Sequence, residues 1–172
     1  EITGLKGKDR LAAAVREKSY PHQCLCWGTV GLVLAMARIL GEPAPFGVAL
    51  AAALPFPLVL PSAMGAAAGY LIKGGMGKSF ALMGALLLTA SARWVAGPRW
   101  EKHRGWMGPL LAGGMIFLTG VAPMLYGSPL FYDVVMWVTQ VVMGAASASF
   151  LERGAAVLRR GRPPADRLDA TA

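Results

Sequence analysis

Two cysteines and two histidines are the residues of this chain whose chemistry could hold a metal ion. Cys24 and Cys26 stand at C-x-C spacing at the start of an apolar run, and His22 and His103 fall in separate flanks. A zinc site needs four ligands at defined spacings, which these residues do not supply. We therefore predict no metal site and interpret the cysteines as small residues at the start of a helix.

A second candidate is a nucleotide-binding loop at residues 75–79, Gly-Met-Gly-Lys-Ser. The run ends like a P-loop, in which backbone amides and a lysine cradle a phosphate. That motif also needs a glycine five positions before Gly77, where this chain has Ile72, and a preceding β-strand, where it has an apolar helix. We reject the motif and predict no cofactor in this chain.

The acidic residues do not form a catalytic group. Six of them outside the two ends of the chain are scattered along the flanks of apolar runs: Asp9, Glu17, Glu42, Glu101, Asp133 and Glu152. No Cys/His pairing on facing spans and no G-x-S-x-G motif accompanies them. We expect no catalytic residue here and predict that this chain is not an enzyme by itself.

The apolar runs that would position any such residues indicate an integral membrane protein. Hydrophobic residues make up 55% of the chain and charged residues 15%, whereas soluble domains have about 25% charged residues. Uncharged stretches cover 19–37, 43–72, 79–92, 105–132 and 134–151, and a spanning helix needs about 20 apolar residues. The net charge of +8 sits beside these runs, as expected of cytoplasmic flanks. We predict the lipid bilayer as a partner and exclude nucleic acid.

The number of spans depends on the run 43–72, which carries five prolines. A single crossing gives five spans, with seven basic residues on one side of the membrane and eight on the other. Two crossings, broken near 55–61, give six spans and thirteen basic residues against two, which satisfies the positive-inside rule. We predict an all-α polytopic membrane bundle of six short helices with both termini cytoplasmic. Five spans are the alternative, and a re-entrant pair stays open.

The chain accordingly divides into three parts. Residues 1–23 form a basic cytoplasmic juxtamembrane arm, residues 24–151 form the transmembrane helical bundle, and residues 152–172 form a basic tail. The tail contains Pro163 and Pro164, and we predict that it is disordered.

Small residues within the spans are predicted to pack. Gly65 and Gly69 form a G-x-x-x-G pattern, and Gly144 and Ala148 form a related one. Such patterns let helices approach closely. We expect this contact within the bundle in preference to contact between protomers, and self-association stays open.

Polar residues at the ends of spans are predicted to have structural roles. Arg38 and Glu42, four positions apart at the end of the first span, are expected to form an ion pair at the membrane interface. Asp133 at the start of the last span is expected to cap a helix, and Tyr132 belongs to an interfacial aromatic belt.

Two short motifs resemble the stage II sporulation protein E family. Residues 37–46, Ala-Arg-Ile-Leu-Gly-Glu-Pro-Ala-Pro-Phe with Gly31 upstream, are similar to the first hairpin of that family. The motif Tyr132-Asp133-x-Val135-Met136 resembles the start of a later family segment. The resemblance covers about residues 23–159, and the polar tail at Pro163 and Pro164 departs from it, since the family continues there with more spans.

This resemblance implies a function for the bundle. The chain would be the membrane region that anchors, localises and helps to assemble a sporulation PP2C-type serine phosphatase, which controls a sporulation sigma factor. Its partners would include division-septum proteins. The phosphatase domain, with its metal-binding aspartates and divalent metal, would lie outside these 172 residues.

A rival from another functional class is a membrane subunit of a small-solute transporter, which can also consist of six short helices. Such a subunit must present polar groups to its ligand. The spans of this chain offer Thr89, Thr119, Thr139 and Gln140.

Overall fold

The computed structural model describes residues 12, 15, 16, 18–39, 41–73, 76–127 and 130–160. In this part of the chain, six helices and one small hairpin follow one another: α1 (Tyr20–Met36), β1 (Arg38–Ile39), β2 (Glu42–Pro43), α2 (Phe46–Ala53), α3 (Phe56–Lys73), α4 (Met76–Ala96), α5 (Pro98–Tyr126) and α6 (Phe131–Arg160). The helical fold that was predicted is confirmed, with the two-residue strands as an unpredicted addition.

Three of the helices contain segments that are long and apolar enough to cross a membrane, namely Lys78–Ala96, Lys102–Tyr126 and Phe131–Val157. Their outer faces are apolar as well, since Leu118 is 60% exposed and Phe150 is 78% exposed. Apolar surface on this scale is unusual for a soluble monomer but suits contact with lipid. The apolar helix Phe56–Ile72 is shorter.

The structure describes only part of the predicted arm and tail. Most of the basic arm, including residues 1–11, and the tail from residue 161 lie outside the described residues. The last helix continues to Arg160, past the predicted end of the bundle at residue 151. Residues 155 and 156 are alanines, which favour a helix, and no proline interrupts the chain before Pro163.

The helix break within residues 43–72 lies between Leu54 and Pro55, at the start of the predicted interval. Leu54 is extended, with φ −67° and ψ 154°, as expected of a residue before proline. Pro61, in contrast, lies inside α3. A proline has no N–H for the carbonyl four residues earlier, and here that carbonyl, on Pro57, accepts a hydrogen bond from the Tyr20 hydroxyl at 3.1 Å. This bond lets α3 continue through its proline.

Glycines bring α1 and α3 into direct backbone contact. A methyl group on Gly69 would lie 2.5 Å from the carbonyl oxygen of Leu32 and 2.8 Å from Cβ of Ala35. A methyl group on Gly65 would overlap the carbonyl of Gly28. The G-x-x-x-G pattern of α3 therefore lies against α1 of the same chain.

Charged residues mark two ends of the bundle. Glu42, Lys78 and Asp133 meet at one end, which we call the hairpin end. Arg104 and Glu152 meet at the other, which we call the arginine end. Asp133 and Glu152 belong to one helix and are 19 residues apart, so a rise of 1.5 Å per residue separates them by about 28 Å. This separation is close to the hydrocarbon thickness of a bilayer, about 30 Å.

Candidate functional site

The centre of the bundle is the short helix α2. It contacts all five of the other described helices, and residues 47–53 are all buried. Eight residues make a helix of about 12 Å, and the residues that flank it, Pro45 and Leu54, are buried. Since a helix leaves N–H groups unpaired at its start and carbonyls unpaired at its end, α2 depends on other helices to satisfy both.

Tyr70 of α3 occupies the first end of α2. Its hydroxyl donates to the carbonyl of Ala44 at 3.2 Å. The backbone N–H groups of Gly47 and Val48 approach the hydroxyl oxygen of Tyr70. Tyr70 is fully buried. A methyl group on Gly47 would stand 3.0 Å from the Tyr70 hydroxyl oxygen and 2.8 Å from Cβ of Ala66. Glycine at this position therefore leaves room for the tyrosine.

Two arginines occupy the other end of α2. Arg93 of α4 donates from Nη1 to the carbonyl of Ala52 at 3.1 Å and from Nη2 to the carbonyl of Leu54. Arg104 of α5 donates from Nη2 to the carbonyl of Ala53. Three successive carbonyls therefore face two guanidinium groups. Positive charge at this position is favourable because the carbonyl end of a helix is partly negative.

One carboxylate and one aromatic ring complete this charged cluster. Arg104 Nε donates to Glu152 Oε1 at 2.6 Å, and both side chains are less than one-tenth exposed. The guanidinium carbon of Arg93 lies 4.6 Å from the centre of the Trp100 ring, within the range of a cation–π interaction. Burying charge is unfavourable unless it is paired and hydrogen-bonded. Arg104 meets both conditions through Glu152 and the Ala53 carbonyl, and Arg93 is hydrogen-bonded to two backbone carbonyls.

A tight turn between α4 and α5 brings the two arginines together. Gly97 has a φ of 49°, a left-handed conformation that glycine adopts without strain. Its N–H bonds to the carbonyl of Arg93 at 3.3 Å, and its own carbonyl accepts from Trp100 N–H at 3.3 Å. A kink at His103, with φ −117° and ψ 15°, then precedes Arg104.

At the hairpin end, Lys78 joins two carboxylates from different elements. Its Nζ lies 2.9 Å from Glu42 Oε1 and 3.5 Å from Asp133 Oδ1. It also lies 5.8 Å from the centre of the Tyr132 ring. The lysine thereby ties the hairpin to the start of α6.

Glu42 and Arg38, which were predicted as polar residues of this end, both have partners here. Glu42 pairs with Lys78, and Arg38 Nη1 donates to the carbonyl of Gly41 at 2.9 Å. Gly41 has a φ of 83°, and this turn directs the chain back into the bundle. The lysine lies 36 positions after Glu42, so local spacing did not indicate the pair.

Two further predicted residues lie on α6. Asp133 is in its first turn and accepts from the N–H of Leu130 at 3.3 Å, the position and direction of a helix-capping carboxylate. Gly144 is buried, and a methyl group there would meet Ile116 and stand 3.7 Å from Cβ of Pro45. Gly144 therefore packs against α5 and the entry to α2.

The residues that hydrogen-bond to the backbone at the ends of α2 were not singled out from the sequence. One of them, Arg93, could have been recognised from its position. Arg93 lies at the end of a long apolar run, where a charge is expensive and commonly functional or paired. Arg104 and Glu152 stand beside apolar runs, as ordinary flanking charges do, and Tyr70 lies inside the uncharged run 43–72. Their partners lie 26 to 51 positions away, so spacing alone could not reveal them.

A transporter would use polar side chains of its spans to bind a solute. In this chain, those side chains form hydrogen bonds within the bundle. Thr89 donates to the carbonyl of Ala85 at 2.7 Å, and Thr139 donates to that of Val135 at 2.8 Å. Thr119 bonds within its own helix in the same way. Gln140 Nε2 reaches the carbonyl of Pro43 at 3.2 Å. Among the described residues, no three His, Cys, Asp or Glu side chains are grouped closely enough to hold a metal ion.

Comparisons of the chain with models of protein families, with curated proteins and with solved structures returned no match.

Proposed function

We propose that this chain is a membrane-anchoring and localising bundle, of the kind that the stage II sporulation protein E family uses to hold a serine phosphatase at the division septum. The observation that carries the proposal is the use of polar groups inside the bundle. Arg93, Arg104 and Tyr70 all bond to the backbone around α2. An interior built in this way favours a rigid scaffold over a solute pathway.

The proposal includes six crossings. Tyr20 at the start of α1 bonds to Pro57 at the start of α3, and Pro57 is close in sequence to Leu54 at the arginine end. The helices then alternate between the two ends. Residues 42–54 run from the hairpin end to the arginine end as an extended segment followed by α2. This segment is the unusual crossing, because only its residues 46–53 are helical.

Charge supports an orientation for this bundle. The arginine end carries several exposed basic residues, namely Arg16, Lys18, Arg99, Lys102 and Arg153. The hairpin end has fewer described basic side chains, namely those of Arg38 and Lys78. The positive-inside rule then favours a cytoplasmic arginine end. A catalytic domain that follows the last helix would share this side with the basic arm.

Cysteine labelling in whole cells tests this orientation. In a background with both native cysteines changed to serine, Tyr126→Cys marks the hairpin end and Lys102→Cys marks the arginine end. Both parent side chains are exposed. We expect a membrane-impermeant maleimide to label the variant at 126 in intact cells and the variant at 102 only after permeabilisation. The opposite pattern would contradict the orientation.

A fluorescent protein joined to the end of the full chain tests anchoring and localisation separately. In a sporulating bacterium, we expect the fusion to stay in the membrane fraction after an alkaline carbonate wash and to concentrate at the division septum. Release by carbonate would contradict the anchoring role. An even distribution around the cell would contradict the localising role alone. A parent gene that encodes no phosphatase would remove the link to the sporulation family.

A further inference from the structure

A shallow apolar groove runs along the outer face of α5. Its volume is about 210 Å³, and it is lined by apolar residues between Met107 and Leu118 together with Trp100. Residues 107 and 118 are 11 positions apart, which makes the groove about 16 Å long. Its floor includes Gly114, where a methyl group would meet nothing within 4 Å. The groove can hold part of one extended hydrocarbon chain.

The helix has exposed basic residues before this groove begins. Arg99 and Lys102 are exposed, and no ion-pair partner for either is found in the described part of the chain. Lys78 at the opposite end differs, because two carboxylates lie within 4 Å of it. These two positive charges, which precede residues 107–118 on the same helix, are therefore available to an external anion.

Two tryptophans accompany the basic residues: Trp100 lies between Arg99 and Lys102 in the sequence, and Trp106 lies between Lys102 and the apolar part of the groove. Trp106 is 60% exposed, and this kind of side chain favours the interfacial layer of a bilayer. Trp100 is buried and lines the groove. Its Nε1–H has no acceptor among the described residues, although a buried indole N–H usually has one.

From this order of groups we infer that α5 carries a binding site for one anionic phospholipid. The phosphate lies at Arg99 and Lys102, and one acyl chain lies in the groove. Trp106 lies between the two, and the N–H of Trp100, which lines the groove, is a hydrogen-bond donor for the lipid. The charges on the helix match the headgroup, and the apolar length matches the chain. This site rests on membrane association and not on the localising role, so either can fail alone.

Native mass spectrometry of the full chain in detergent tests the site. We expect phosphatidylglycerol to remain bound in preference to phosphatidylcholine. Since each basic residue near a membrane surface favours anionic lipid, the double variant Arg99→Gln/Lys102→Gln should bind phosphatidylglycerol about thirtyfold more weakly, which corresponds to about 2 kcal/mol. The matched control Arg16→Gln/Arg153→Gln removes the same charge from the same end and should retain most of the binding.

Two single variants test the groove and the donor. Gly114→Leu fills the groove and should weaken retention of phosphatidylglycerol. Trp100→Phe keeps the ring beside Arg93 but removes the N–H, and it should weaken retention less. Circular dichroism of each variant checks that the helices are intact, and Gly154→Leu, at an exposed position with open space, serves as the control for bulk.

Several outcomes would overturn the site. Equal losses in the two double variants would indicate diffuse attraction to charge. Displacement of the lipid by inorganic phosphate alone would indicate a simple anion site without a role for the groove. A change in the proportion of dimers with Gly114→Leu, without a change in lipid retention, would assign the groove to a second copy of the chain.

Discussion

The ion pair between Arg104 and Glu152 allows a sharp test of the bundle. Glu152→Leu keeps much of the side-chain volume but leaves Arg104 Nε without its carboxylate, in a place where both side chains are less than one-tenth exposed. Removing one partner of a buried ion pair costs about 3–5 kcal/mol. Glu152→Gln retains an acceptor and loses only the charge. Hydrogen bonds to charged groups contribute about 1.5–3 kcal/mol and neutral ones about 0.5–1.5, so this variant should lose about 1–2 kcal/mol.

The free energy of unfolding of these variants can be measured in dodecyl maltoside micelles to which dodecyl sulfate is added, with helicity followed by circular dichroism. Arg153→Gln changes the neighbouring exposed residue and should stay within about 0.5 kcal/mol of the parent. The double variant Arg104→Leu/Glu152→Leu should lose less than the sum of its single variants, by about 0.5–3 kcal/mol. If Glu152→Leu were no less stable than Arg153→Gln, the cluster would not hold α2 in place.

Three further predictions concern other contacts of the bundle and use the same unfolding assay. Gly69→Val places a side chain against the backbone of α1 and should lower the free energy of unfolding by about 1–3 kcal/mol. Gly154→Val, in open space, should lower it much less. Similar losses in the two variants would argue against close contact of α1 and α3. Tyr20→Phe removes the hydroxyl that donates to the carbonyl of Pro57 and should lower the free energy of unfolding by about 0.5–1.5 kcal/mol. Tyr126→Phe, at a 92% exposed position, should leave it almost unchanged. Lys78→Gln should lower the free energy of unfolding by no more than about 1 kcal/mol, because the lysine side chain is 39% exposed and exposed ion pairs are weak. A loss above about 3 kcal/mol would mean that the hairpin end is far less accessible to solvent than this exposure indicates.

The course of residues 43–72 shows what the sequence could predict. The charge count indicated that this run turns back on itself, and the structure has two helices there that separate between Leu54 and Pro55. The count depends only on which charges lie beside which apolar runs, so it needs no knowledge of contacts. Pro61 was predicted to take part in the break because proline normally interrupts a helix. Its effect is offset by the Tyr20 hydroxyl, and a contact over 37 positions cannot be read from local sequence.

The charged cluster illustrates a second limit. Arg93, Arg104 and Glu152 come from three helices, and each was assigned by position to a flank or to the end of a span. Their role follows from the short length of α2, whose carbonyls cannot reach water. That length was not predictable, because residues 43–54 have the apolar composition of an ordinary span while the hairpin and Pro45 leave only residues 46–53 helical.

The enclosure of α2 by the other helices also constrains the order in which the chain inserts and folds in the membrane. An extended backbone is not stable in lipid, because each unpaired polar group costs several kcal/mol there. Residues 42–54 can settle only when α4, α5 and α6 are present to surround them, and Glu152 on α6 is nearly the last described residue to leave the ribosome. We expect α2 to wait at the membrane surface or beside the insertion machinery until synthesis is almost complete. A chain that stops before α6 would leave Arg104 without the Glu152 carboxylate and the bundle unfilled around α2.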